Sequence, residues 1–335
     1  MIFKKYFNNL VKIPSLYLFV LKCYKRQKHF MKETILLDLE DIKKNNDQSL
    51  TEKDFKKITF YYGLAVPVIG EIFCLLRGTK MTNSERKTLT YLGGLTGLFD
   101  DFFDELETTE EHIKELINNP SIELGKNSHE ILFIKFYLKA LEQDHSKSIK
   151  KYFNEGFDAQ VESKKQTYPN LPSEEILKIT QQKGGVFILL YRAALDGHIP
   201  DFEKELLFNI GLLGQLENDI FDIYKDHKAG ICTLATTTKS IFVLRSQYQS
   251  IMNDIFELID KTSFPKSNKK KFSRLFSIVA SRGLVCLDQL IKLENEGLFE
   301  LSMCSKEQLI CNMGKLKNTF KWVKFYLNWN IGTKY

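Results

Sequence analysis

Asp100, Asp101 and Asp104 lie in the run Phe99-Asp100-Asp101-Phe102-Phe103-Asp104, within a stretch whose apolar spacing predicts a helix from Ser84 to about Glu107. At 100° per residue, Asp100 and Asp104 project from one face a turn apart, and Asp101 points roughly 100° away. Two like charges so placed repel by roughly 0.2–0.5 kcal/mol, and a cation between them reverses that sign. Magnesium suits such a pair, because it takes one or two carboxylates, keeps several waters and completes its shell with substrate phosphate oxygens. Gly94, Thr96 and Gly97, one to two turns upstream, are expected to leave space beside the acids for something bulky. The plainer alternative is a solvated acidic helix end, on which Phe99, Phe102 and Phe103 would be awkward.

A second cluster follows in Gly214-Gln215-Leu216-Glu217-Asn218-Asp219-Ile220-Phe221-Asp222-Ile223-Tyr224-Lys225-Asp226. Asn218, Asp222 and Asp226 recur at i, i+4 and i+8, so their oxygens line one helical face and could chelate one divalent ion. Lys225 is adjacent and could reach an anion held by that ion. Asn253-Asp254-Ile255-Phe256-Glu257 repeats the local pattern, but its i+8 position is Lys261, so it is assigned to ordinary helix surface.

These residues resemble a known family. Asp100 to Asp104 matches the aspartate-rich DDxxD motif of class I isoprenoid diphosphate enzymes, and Asn218 to Asp226 looks like the NDxxSxxKE metal motif of terpene synthases. The resemblance covers about Tyr61 to Tyr248. It implies a single large antiparallel helical bundle with a central active-site cavity. It further implies three magnesium ions, with manganese as the alternative ion: Asp100 and Asp104 would bind two, and Asn218, Asp222 and Asp226 the third. Asp101 belongs to the motif and is less suited to touch metal. Two departures stand out: Asp222 replaces the usual Ser or Thr, and Asp226 replaces the usual Glu. The first makes the segment similar to the second acidic motif of squalene and phytoene synthases. The stretch Gln215 to Asp222 is also similar to the second motif of chain-elongating prenyl synthases, which would make Asp219 a ligand. The run Lys183-Gly184-Gly185 resembles the lysine-bearing helix of prenyl synthases, in a region where related enzymes break a helix. Lys183 is therefore a candidate diphosphate contact, with Arg192 a second. Lys324-Phe325-Tyr326 and Lys334-Tyr335 stand where many bacterial cyclases carry Arg-Tyr.

The implied activity is that of a class I terpene synthase acting on a prenyl diphosphate. The alternatives are a prenyltransferase, by head-to-head coupling or chain elongation, and a non-enzymatic helical scaffold or membrane-surface protein. The Gly-Lys-Arg-x-Arg-Pro type segment of elongating enzymes is absent before Asp100, which favours cyclisation.

The elements that must position these residues read as all-α: apolar residues recur at helical spacing almost throughout, and no segment sustains a period of two. Helices are expected at Leu36 to Ile42, Lys53 to Arg77 with a kink at Pro67, Glu174 to Leu195, Asp201 to Lys228 and Lys306 to Asn328, among others. Pro172, Gly197, Pro200, Gly230 and Pro265 punctuate the gaps. Residues 33–335 are read as one catalytic domain. Residues 1–32 hold eight basic side chains and no acid, so the net charge of +6 leaves the rest of the chain at −2, which argues against a nucleic-acid partner. The apolar stretch Ile13 to Leu21 is too short to span a bilayer and no small-residue cleavage site follows it. The basic segment is read as an extra helix or a contact with anionic membrane, dispensable for chemistry. The six scattered cysteines, without a Cys-x-x-Cys pair, fit reduced thiols of a cytoplasmic enzyme, peripheral at most to the inner membrane face and monomeric or homodimeric.

Overall fold

The computed structural model describes residues 2–104, 108–196 and 198–329, with side chains described except at 2–5 and at Asp104. Helices follow one another as α1 (Ile2–Leu10), α2 (Ile13–Glu33), α3 (Ile35–Lys44), α4 (Glu52–Lys56), α5 (Gly63–Arg77) and α6 (Asn83–Asp104). Then come α7 (Glu110–Asn118), α8 (Ser128–Leu141), α9 (Ser146–Ser163), α10 (Ser173–Ala193), α11 (Asp201–Phe221) and α12 (Ile223–Lys228). The last are α13 (Leu234–Thr237), α14 (Ile241–Lys261), α15 (Lys266–Leu290), α16 (Lys306–Leu309) and α17 (Leu316–Asn328). Among the described residues there is no strand, and one isolated bridge pairs Asn295 with Leu298. The protein is all-α.

Contacts group the chain into two compact units. The first unit comprises Met1–Leu16, Glu162–Ile188 and Pro200–Tyr335, and the second Tyr17–Val161 and Leu189–Ile199.

In the second unit, α4 and α5 are joined by a π-helical turn, Lys57–Tyr62, so the helical hydrogen bonding widens one turn before Pro67. Proline has no N–H to give the carbonyl four residues back, which leaves Gly63 O without its helical donor. Gln27 of α2, fully buried, supplies one from Nε2 at 3.0 Å and also donates to Thr90 Oγ1 at 2.9 Å. Arg86 donates in turn to Gln27 Oε1 at 3.2 Å and pairs with Glu71, which Arg26 also reaches at 2.6 Å. Residues of the basic segment, Arg26 and Gln27, are therefore built into the packing of α5 and α6.

Helix α6 starts earlier than expected, because Thr82 and not Ser84 caps it. Thr82 Oγ1 accepts from Glu85 N at 3.1 Å and Glu85 Oε2 accepts from Thr82 N at 2.6 Å, a reciprocal cap. Its far end is fixed by aromatics: Phe99 stacks on Phe133 and meets Phe153 edge-on, and Phe102 meets His129 and Phe133.

In the first unit α10 and α11 cross with almost no space between backbones. A Cβ on Gly184 would sit 2.1 Å from Gly211 O, and one on Gly211 would sit 2.3 Å from Gly184 O. Helix α10 runs unbroken through Gly184 and Gly185, so the glycines serve close approach and not the expected break. The predicted helix from Asp201 to Lys228 does break, at Asp222, and the one from Lys306 to Asn328 divides into α16 and α17. Helix α1 packs on α17, where Asn9 Nδ2 donates to the terminal carbonyls of Leu327 and Trp329 at 3.3 and 2.9 Å.

Candidate metal and diphosphate site

The second acidic cluster lies in the first unit, at the end of α11. Asp222 is in the bridge region, with φ −92° and ψ 7°, and forms the joint between α11 and α12. Backbone bonding nevertheless passes through the joint: Asp222 N–H donates to Asn218 O and Asp226 N–H to Asp222 O, both at 2.9 Å. The i, i+4, i+8 relation thus survives the break. Asn218 and Lys225 are exposed, Asp222 is half-buried and Asp226 is buried.

Asp219 is the residue this geometry adds. It is 4% exposed; Gln215 Nε2 donates to its Oδ1 at 2.8 Å, and its Oδ2 has no hydrogen-bond partner. Burial pushes its carboxyl up to about 7; Gln215 and the positive charge of Lys183 pull the other way, and the negative charges of Asp226 and Asp222 add to the rise. Three carboxylates and Lys183 therefore share one electrostatic environment, with one carboxylate oxygen buried and unsatisfied. Such an atom is costly unless a donor or cation meets it. Among the described residues no group of three or more His, Cys, Asp or Glu side chains converges as a metal centre. The oxygens of Asp219, Asp222 and Asp226 nonetheless match the hard-donor chemistry of magnesium, which binds one or two carboxylates and fills the rest of its shell with water and phosphate.

Glu217, on another side of α11, is also buried, and burial pushes it up to about 7 against the opposing charge of Arg282. Tyr248 OH lies 3.1 Å from Glu217 Oε2 and 2.8 Å from Ala280 O, yet a hydroxyl has one proton to give. With Glu217 protonated both contacts are satisfied, Glu217 donating to Tyr248 and Tyr248 to Ala280.

The first acidic cluster lies in the second unit. Asp100 is half-buried and accepts from Gln160 Nε2 at 2.5 Å. Asp101 turns into the packing, where it pairs with Lys57 and lies 3.9 Å from His129 Nε2. Burial acts to raise its carboxyl, but hydrogen bonding and charge from His129 and Lys57 outweigh that and hold it below the usual carboxylate range. Asp101 thus serves as an internal counter-charge. The side chain of Asp104 lies outside those described. The space expected beside Gly94 and Gly97 is filled: a Cβ on Gly94 would meet Phe136 at 2.9 Å, and one on Gly97 would meet Tyr62 and Lys57 at 3.2 and 3.3 Å.

Of the candidate diphosphate contacts, Lys183 is partly exposed and acts on Asp219. Arg192 belongs to the second unit and is 1% exposed; its guanidinium donates to Asp196 Oδ1 at 2.7 Å and to His198 O at 3.3 Å. That charge is committed to closing the end of α10. Tyr326 is buried with its hydroxyl on Asn9 O at 3.2 Å, while Lys324 is exposed. Lys334 and Tyr335 lie outside the described residues.

Sequence reading reached Asn218, Asp222 and Asp226 through their spacing. Asp219 lies off that spacing and was reached only through the resemblance to chain-elongating synthases, although Gln215 and Asp219 are themselves four apart and share a face. Compared with known proteins, the chain matches no family model and no curated protein.

Proposed function

We propose that the chain is a magnesium-dependent class I terpene synthase, a carbon–oxygen lyase that ionises a prenyl diphosphate and releases diphosphate with a terpene hydrocarbon or alcohol. The reading takes the fold as the antiparallel bundle of that class with a central cavity, in a cytoplasmic monomer or homodimer. The observation that carries it is the buried, unpartnered Oδ2 of Asp219 beside Asp222, Asp226 and Lys183.

In this reading Asn218, Asp219, Asp222 and Asp226 would hold one ion, and Asp100 with Asp104 would hold the others. Magnesium, when bound, supplies electrostatic stabilisation of the diphosphate leaving group. Lys183 and Lys225 add fixed positive charge at the diphosphate oxygens. With its carboxyl raised to about 7, Asp219 is only partly anionic near neutrality, and arriving positive charge would complete its ionisation. Apolar side chains keep water from the allylic cation and fold the chain onto it.

A prenyltransferase is the second reading, and a specific observation favours it. Asp219 aligned by Gln215 is the arrangement in which this residue becomes a ligand, as the resemblance to chain-elongating synthases implies. A helical scaffold would leave the orphaned carboxylate without a purpose.

The test is thermal. Magnesium with inorganic diphosphate should raise the melting temperature together and little separately, because only the folded state binds them. Incubation with geranyl, farnesyl and geranylgeranyl diphosphates, singly and with isopentenyl diphosphate, then separates the readings. Volatile products from a single substrate support the synthase, and coupled or longer diphosphates support the transferase. No melting shift and no diphosphate release from any of them overturns both.

A further inference from the structure

Helix α2 and the segment from the π-helical turn into α5 share an exposed apolar face within the second unit. Tyr17 is 64% exposed, Leu18 53%, Phe60 62% and Tyr61 62%. Between the two helical segments lies an open recess of about 610 Å³, lined by Val20, Tyr24, Phe60, Tyr61 and Val68, with Lys57 at one side. The stretch Glu52–Arg77 has a window of mean hydropathy 1.7, of which only half is buried. Large aromatic side chains left in water beside an apolar recess mark a surface that something covers.

The charge around this face identifies what covers it. After its first two turns the solvent side of α2 becomes basic: Lys22, Lys25, Lys28 and Lys32 are all exposed, and no acid occurs on the helix before its last residue, Glu33. At 100° per residue, Tyr17, Leu21, Lys25, Lys28 and Lys32 fall within about 80° of one another, so apolar and basic residues occupy one strip. A second copy of the chain is the poorer occupant, because a two-fold contact sets a patch against itself and would oppose these lysines to their own copies.

We propose that this face docks the protein onto an anionic lipid surface. Tyr17, Leu18, Phe60 and Tyr61 enter the headgroup–acyl boundary, where amphipathic rings are favoured, and the lysines of α2 bind lipid phosphates above it. The surface attraction grows with each added lysine, so several together hold what one cannot. The proposal stands independently of the chemistry at Asp219, which lies in the other unit.

The experiment is co-sedimentation of the full chain with vesicles of phosphatidylcholine, with and without 30% phosphatidylglycerol. Binding should require the anionic lipid and weaken with salt. Both F60S/Y61S and K22E/K25E/K28E should lower the apparent affinity at least tenfold, with circular dichroism melts reporting that each still folds. Should a variant not fold, hydrogen exchange of the unaltered protein reads the same face: amides of residues 17–24 and 58–65 should slow when anionic vesicles are added. Equal binding to both vesicle types, variants that bind like the parent, or unchanged exchange overturns the proposal. So does a concentration-dependent dimer that these variants abolish without any vesicle binding.

Discussion

Asp219 carries the sharpest consequences at the scale of single residues. Its folded-state carboxyl is raised from near 4 to about 7, mainly by burial, and Glu217 is raised likewise. A raised acid binds protons more tightly folded than unfolded, so its contribution is fully present below about pH 4 and is lost as pH rises through 7. The metal-free protein should therefore lose stability between about pH 4 and 7. Asp219→Asn removes the charge that burial penalises, so its melting temperature should exceed that of the parent at pH 8 and match it at pH 4. The ceiling is on the order of 4 kcal/mol, the cost of a three-unit shift. A variant that melts lower at pH 8 would show that the carboxylate is paired in solution. Asp222→Asn should leave the apo protein as stable as before, since it relieves repulsion within the same cluster. Turnover of a prenyl diphosphate should fall at least about a hundredfold, on the order of 3 kcal/mol of lost electrostatic stabilisation. Normal turnover by this variant would remove Asp222 from the site.

Among the elements, the α10–α11 crossing decides what the cluster can do. Lys183 acts on Asp219 because Gly184 and Gly211 let the two backbones nearly touch. Gly211→Ala gains up to about 1 kcal/mol of helix propensity, but its methyl would lie 2.3 Å from a backbone oxygen. Overpacking of that kind costs typically 1–3 kcal/mol or more. Urea unfolding should show a net loss of stability, and a gain would mean that the two helices do not approach this closely in solution. The helices themselves were legible in the sequence, since apolar spacing located the starts of α6 and α11 to within a residue. The joint at Asp222 was not, because the apolar pattern runs through it and backbone bonding continues across it. Asp219 escaped for a related reason: periodicity tells which residues share a face, but burial of that face depends on which helix crosses it. The filled space beside Gly94 and Gly97 has the same cause, a neighbour's side chain that no local pattern announces.

For the whole molecule, the question is whether the basic N-terminal residues are an appendage or part of the fold. Composition suggested an appendage, because charge separates residues 1–32 from the rest. The packing argues otherwise. Leu16, Cys23 and Met31 are buried to 6% exposure or less, and Gln27 is the donor that replaces the N–H missing at Pro67. Removing them exposes apolar surface worth roughly 1.5–3 kcal/mol per large side chain. It also leaves Gly63 O and the Arg86 guanidinium short of partners, at about 1–3 kcal/mol each. Against a total stability of about 5–15 kcal/mol, losses of this size are not tolerated. Deletion of residues 1–32 should accordingly give a chain that is insoluble or lacks a cooperative melt, whatever its effect on lipid binding. Gln27→Ala should lower stability by itself, while replacing exposed Lys22, Lys25 and Lys28 with Ser should leave the melting curve where it is. A deletion that melts cooperatively at the parent temperature would show that α5 keeps its packing without Gln27, and the segment would then be an appendage after all.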